Sequence, residues 1–172
     1  MEKNLDIEIE KAIRLLSENF PISDENTRKP VLFHDIRVGV YLYENNYSRD
    51  IILAGFLHDA IEFSEIKTET ITAEFGEEVL RLIKASTKDD SITDKTEKNR
   101  ELIARCVANG EDALIVKAAD TIDSFKFYTK INNQDQLQNY CVKIANLISE
   151  LKPSEFNDKI FDELNIWQRK DN

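Results

Sequence analysis

Glycine and proline are scarce in this chain, four and three in 172 residues. Turn-rich sheet proteins need more of both, and apolar residues recur with a 3.6-residue period over most of the length, so an all-α fold with short connections is expected. Cysteine is scarce too. A disulfide framework is unnecessary at this length, and Cys106 and Cys141, which have no CxxC spacing and sit within amphipathic patterns, read as reduced core thiols of a cytoplasmic protein. No apolar run approaches the roughly 18 residues of a membrane span. The opening residues Met1-Glu2-Lys3-Asn4-Leu5-Asp6-Ile7-Glu8 are too acidic for a signal peptide. Positive charge is in deficit, 23 Lys and Arg against 33 Asp and Glu, for a net charge of −10. Nucleic acid and anionic membranes are therefore poor partners, whereas a small anionic ligand remains feasible where cations gather locally. A single domain over residues 1–172 is the simplest expectation, long enough to bury about 70% of its unfolded surface.

The periodic segments are punctuated clearly. A first helix is expected from about Asp6 to Phe20, stopped by Pro21, and a polar loop, Ser23 to Pro30, leads to a second from about Val31 to Asn45. Ser48 is placed to cap a third, which carries Leu53-Ala54-Gly55-Phe56-Leu57-His58-Asp59-Ala60-Ile61-Glu62. Thr68 is placed to cap a short fourth ending near Gly76, and Glu77 to Ala85 forms a fifth. Further helices are expected from Asp94 to Ala108, from Glu111, from Asp135 to Leu151 and from Ser154 to Gln168, with Gly110 and Pro153 as separators.

The polar residues that interrupt apolar helix faces are the unusual ones. Histidine occurs only at positions 34 and 58, and both lie in apolar helical segments. Either alone would more often be a satisfied core or surface imidazole than a ligand. Asp59 and Asp120 likewise ride on apolar surfaces, and Asp120 alone reads equally well as a packed carboxylate bonded to a Lys or Tyr. Taken together, His34, His58, Asp59 and Asp120 come from three expected helices that a compact bundle can bring to one point. Two imidazoles and two carboxylates suit a divalent ion such as Mn²⁺, Fe²⁺ or Zn²⁺, whose charge offsets the cost of burying the acids. Such a site can activate water and polarise a phosphoryl group. Glu62, four residues after His58, is expected to return to the histidine's face of the helix.

The ordered set of a histidine, a His-Asp pair and a later aspartate resembles the HD-domain metal-dependent phosphohydrolases. Within that family the likeness is to the RelA/SpoT-type alarmone hydrolases, including the small stand-alone ones. It runs from about residue 26 to 130 through Arg28-Lys29-Pro30, Leu57 to Glu62, Phe75-Gly76-Glu77-Glu78-Val79, Ser86-Thr87-Lys88, Lys98-Asn99-Arg100 and Val116-Lys117-Ala118-Ala119-Asp120. The resemblance implies a compact all-α multi-helix HD-domain bundle, with His34, His58, Asp59 and Asp120 binding Mn²⁺ in the first place. Glu62 matches the first residue of an acidic Glu-Asp pair that handles water and proton, which implies a catalytic role. Phe63 stands where those enzymes have the second acid, and Ser124 where they commonly have Asn. Arg28 and Lys29 match a basic substrate-contacting loop, and Thr87 a ligand-bonding position. The residues alone read these three equally well as a solvated loop and a helix end, and Lys88 and Lys117 as surface charges.

The function expected is hydrolysis of a nucleotide phosphate, foremost the 3′ pyrophosphate of guanosine 3′,5′-bis(diphosphate). The alternatives are an HD phosphohydrolase acting on another nucleotide or phosphate ester, and a non-catalytic module that binds metal and nucleotide.

Overall fold

The structure is a computed structural model that describes residues 4–170. Among these, every regular element is a helix, as the periodicity requires. The chain divides into two compact units, one ending at Thr87 and the other beginning at Lys88.

The first unit comprises α1 (Leu5–Asn19), α2 (Val31–Glu44), α3 (Arg49–Leu57), α4 (Ala60–Phe63), α5 (Thr68–Phe75) and α6 (Glu77–Ser86). Its centre is α3, in which every residue from Ile51 to Leu57 is buried. That continuous apolar run leaves no polar face, so neighbours must surround it, and α1, α2 and α6 all pack on it. Burial of Leu53, Phe56 and Leu57 stabilises the unit by about 1.5–3 kcal/mol each. At the start of α3 the Arg49 guanidinium bonds both carboxylate oxygens of the buried Glu8 on α1 and the Phe75 carbonyl that ends α5. Gly76, at φ 102°, supplies the positive dihedral that separates α5 from α6.

The second unit comprises α7 (Lys95–Ala108), α8 (Glu111–Lys130), α9 (Gln134–Gln136), α10 (Val142–Leu151) and α11 (Lys159–Lys170), with a π-helical turn, Leu137–Cys141, between α9 and α10. Its centre is α8, buried from Ala113 to Phe125 and packed against α7, α10 and α11. The Asp94 side chain caps α7 by accepting from the Glu97 N–H. Cys106 and Cys141 are both buried, and neither is in a disulfide.

Several expected helix ends move, each for a local reason. Ser48 occupies the N-cap of α3 without a side-chain capping bond, and Thr68 is the first residue of α5, not its cap. The last helix begins at Lys159 instead of Ser154, because Asp158 is the capping acid: its carboxylate accepts from the Ile160 N–H while its own N–H donates to Glu111. The largest departure is at His58. The helix expected to run on through Asp59 to Glu62 stops at Leu57, turns through His58 and Asp59, and restarts at Ala60. The His58 ring bonds the Gly55 carbonyl, the acceptor that the Asp59 N–H would use in a continuing helix.

Candidate metal centre

Two glycines bring α2 and α3 together. A Cβ on Gly39 would lie 2.3 Å from the Phe56 ring, and one on Gly55 would lie 2.4 Å from Leu42 Cδ1 and 3.5 Å from the Gly39 Cα. The helices thus meet at a separation that only glycine allows at Gly39. On α2 the buried positions Val38, Gly39 and Leu42 share a stripe with His34 and Asp35. The stripe carries those two polar side chains to the place where α3 ends. There the His34 and His58 rings meet edge to face, 5.1 Å between centroids and 78° between planes.

The protonation geometry of His58 follows from its partner. Its Nδ1 lies 2.8 Å from the Gly55 carbonyl oxygen, which can only accept, so Nδ1 carries a proton. In the neutral ring Nε2 then presents its lone pair. That lone pair faces carboxylate oxygens, Asp35 Oδ1 at 3.8 Å and Asp59 Oδ2 at 3.7 Å. Both separations exceed hydrogen-bond length, and two anionic oxygens facing this nitrogen are favourable only with positive charge at its edge, supplied by a proton on Nε2 or, where the lone pair is kept, by a bound cation. The fixed tautomer, with the outer nitrogen anchored on a backbone carbonyl, is the arrangement found in histidines that ligate metals.

His34, Asp35, His58 and Asp59 each offer a donor atom, and these atoms all lie within 4.8 Å of one another. The set consists of two nitrogens and two carboxylate oxygens, with two formal negative charges. It is nearly enclosed: His34 and Asp35 are fully buried, His58 is 2% exposed, and the Asp59 side chain at 16% is the opening to solvent. A divalent cation fits this donor chemistry and cancels the charge that burial makes costly.

Three of the expected ligands, His34, His58 and Asp59, converge in this way. Asp35 was not expected, although the sequence carries a signal for it. It directly follows His34 and lies in the buried stripe His34, Asp35, Val38, Leu42, and both histidines of the chain are followed by aspartate. Glu62 lies on α4, half-buried and beyond the turn, and is not one of the four converging donors.

Asp120 belongs to the second unit, on α8, where it is 5% exposed. Lys117 Nζ donates to its Oδ2 at 2.6 Å, and Ser124 Oγ lies 3.5 Å from its Oδ1. Lys117 is not the surface charge expected: it is 2% exposed, one turn before Asp120, with Tyr140 Oη from the π-helical turn 3.4 Å from its Nζ. Burial alone would discharge the amine, but the Asp120 carboxylate and the Tyr140 oxygen outweigh it and hold the ammonium well above the ordinary lysine range. Arg28 is exposed and Lys29 half-buried in the loop before α2. Thr87 caps the end of α6, its hydroxyl donating to the Ile83 carbonyl at 2.9 Å.

Comparison with known proteins bears on the family and the fold. The chain is 29% identical over 121 residues to the guanosine-3′,5′-bis(diphosphate) 3′-pyrophosphohydrolase of Aquifex aeolicus, covering 69% of this chain and 17% of that protein. It is 29% identical over 129 residues to the protein of that name from Borreliella burgdorferi, covering 71% and 19%. It therefore spans less than a fifth of the length of either relative. Among solved structures, a metazoan SpoT ortholog described as hydrolysing ppGpp superposes with a TM-score of 0.72 at 20% identity, over 96% of this chain and 94% of that one. The Listeria monocytogenes EGD-e protein lmo0812 gives 0.67 at 20% identity, over 87% and 99%. These likenesses carry the fold, and the family model of the HD domain matches residues 12–146, running across both units. With the paired histidines and the His58-Asp59 step inside the matched stretch, the chain belongs to the HD-domain family.

Proposed function

We propose that residues 1–172 act as one metal-dependent phosphohydrolase domain whose substrate is a nucleotide phosphate, in the first place guanosine 3′,5′-bis(diphosphate) cleaved at its 3′ pyrophosphate. The observation that carries the proposal is the His58 tautomer, which aims a lone pair at two carboxylates beside a second imidazole. The names of the relatives in Aquifex and Borreliella support the substrate. His34, His58 and Asp59 would hold the ion, with Asp120 as a further ligand on the motif order, and Mn²⁺ is the cation favoured. A divalent ion there supplies Lewis acidity and lowers the pKa of water that it binds to near neutrality.

The chain's own residues supply the rest. Glu62 takes the proton of the attacking water on a carboxylate oxygen as the water oxygen bonds to phosphorus, and returns it to the ribose 3′ oxygen as the P–O bond breaks. Arg28 and Lys29 neutralise substrate phosphates, and the Thr87 hydroxyl, turned away from the Ile83 carbonyl, donates to a substrate oxygen. A small anionic nucleotide, not nucleic acid, suits a chain of net charge −10. Buried Cys106 and Cys141 without a disulfide suit a cytoplasmic setting, and no helix among the described residues is long and apolar enough to cross a membrane.

Phe63, in place of an acid beside Glu62, favours a second reading in which another nucleotide or phosphate ester is the substrate. The test is incubation of purified protein and Mn²⁺ with alarmones, nucleoside mono- and triphosphates and cyclic nucleotides, with products separated by chromatography. Pyrophosphate released from alarmones alone establishes the first reading. Turnover of simpler nucleotides establishes the second, and saturable binding without any turnover refutes both in favour of a binding module.

A further inference from the structure

Asp35 distinguishes this site from the ligand pattern that the family motif supplies. It is fully buried on α2, directly after His34, and its Oδ1 lies 3.8 Å from the lone-pair nitrogen of His58. The two segments that build the cluster are therefore alike: each presents a histidine followed by an aspartate, His34-Asp35 from α2 and His58-Asp59 from the turn after α3. In an octahedral site with bonds of about 2.2 Å, neighbouring donors stand about 3.1 Å apart and opposite donors about 4.4 Å. The His58–Asp35 and His58–Asp59 separations, 3.8 and 3.7 Å, fall between these values. Asp35 thus stands in the same geometric relation to His58 as Asp59, so the reason for making Asp59 a ligand applies equally to Asp35.

We infer that Asp35 is a ligand of the same cation, and that its carboxylate makes the site oxygen-rich enough to select a hard divalent ion such as Mn²⁺ over Zn²⁺. The inference rests on the metal-site reading above and extends it. A carboxylate contributes charge as well as a hard donor, and Mn²⁺ and Mg²⁺ depend on such donors more than Zn²⁺, which imidazole and thiolate hold well. Asp35→Asn keeps the shape of the side chain and removes its charge, which isolates that contribution.

The experiment is calorimetric titration of the metal-free wild type and of Asp35→Asn with Mn²⁺ and with Zn²⁺, each ion alone, with circular dichroism of both proteins as the folding check. The expected result is that Asp35→Asn raises the Mn²⁺ Kd by at least about tenfold and the Zn²⁺ Kd by much less, so that the preference for Mn²⁺ falls. Binding by Asp35→Asn within twofold of wild type for both ions overturns the role of Asp35 while leaving the metal site standing. A wild type that binds neither ion overturns both. Should Asp35→Asn fail to fold, a crystal structure of the wild type loaded with Mn²⁺ decides: an Asp35 oxygen at about 2.0–2.5 Å from the ion upholds the inference, and one beyond about 3.5 Å overturns it.

Discussion

Gly39→Ala is the perturbation that most sharply tests how the helices build the cluster. The added Cβ would stand 2.3 Å from Phe56 Cδ2 and Cγ and 2.5 Å from Cδ1. Carbon atoms sit comfortably at about 3.5–4.0 Å, so α2 and the ring must part by at least about 1 Å. Phe56 is 1% exposed and cannot swing into solvent. Two terms then oppose each other. Overpacking of this kind costs about 1–3 kcal/mol, while replacing a mid-helix glycine by alanine returns about 0.5–1 kcal/mol. The net loss is about 0–2.5 kcal/mol, a fall in Tm of a few degrees for a chain of this size. Metal binding suffers more, because ligand distances tolerate only about 0.2 Å, whereas the strain separates His34 on α2 from His58 at the end of α3. Thermal melts of the metal-free protein and Mn²⁺ titration of the same samples measure both effects, and at least a tenfold weaker Kd is expected beside the modest drop in Tm. Gly55→Ala is expected to be milder, since its Cβ meets the end of the Leu42 side chain. A Gly39→Ala protein that melts higher than wild type and binds Mn²⁺ with unchanged affinity would refute the reasoning, for it would mean that the ring has room to move.

His34→Ala and Asp120→Ala are each expected to reduce bound Mn²⁺ well below one ion per chain by elemental analysis after dialysis; full retention in either removes that residue from the ligand set. Glu62→Gln should keep its metal and lose about 10²-fold or more in turnover, and an unchanged rate measured on the preferred nucleotide takes Glu62 out of the chemistry. Lys117→Met strands the buried Asp120 carboxylate and should cost about 3–5 kcal/mol in urea denaturation with chelator present. Because the Lys117 pKa is raised in the folded chain, the contribution is complete below the unfolded value of about 10.4 and is lost only as pH rises through the higher folded value. The difference between wild type and Lys117→Met is therefore expected to stay constant from pH 7 to 9, and a decline within that window would show that the lysine is not held charged.

The helical architecture was legible because it rests on local rules. Pro21 and Gly76 end helices where covalent geometry says they must, and the apolar run of α3 announces a buried helix. The convergence of His34, His58 and Asp59 was legible for a different reason: polar residues set in apolar helix faces need a common purpose, and the order of the motif supplied one. What escaped depends on competition that periodicity cannot see. The break after Leu57 arises when the His58 ring takes a main-chain acceptor, so the assumed continuous helix through Glu62 does not exist. Lys117 lies inside because Asp120 and Tyr140 receive its ammonium, an arrangement of partners that a lysine in a sequence does not display. Asp35 was hidden beside His34, where an acid next to a histidine drew no notice until the glycine-mediated contact of α2 with α3 placed it opposite His58.

That His34 and His58 together hold one divalent cation is tested most directly by pulsed EPR of the chain loaded with a single equivalent of Mn²⁺. Nitrogen couplings from two imidazoles are expected, falling to one in His58→Ala, whose remaining Mn²⁺ binds more weakly. Mn²⁺ that binds without nitrogen coupling, or a spectrum identical in wild type and His58→Ala, would contradict a metal centre built on the two histidines.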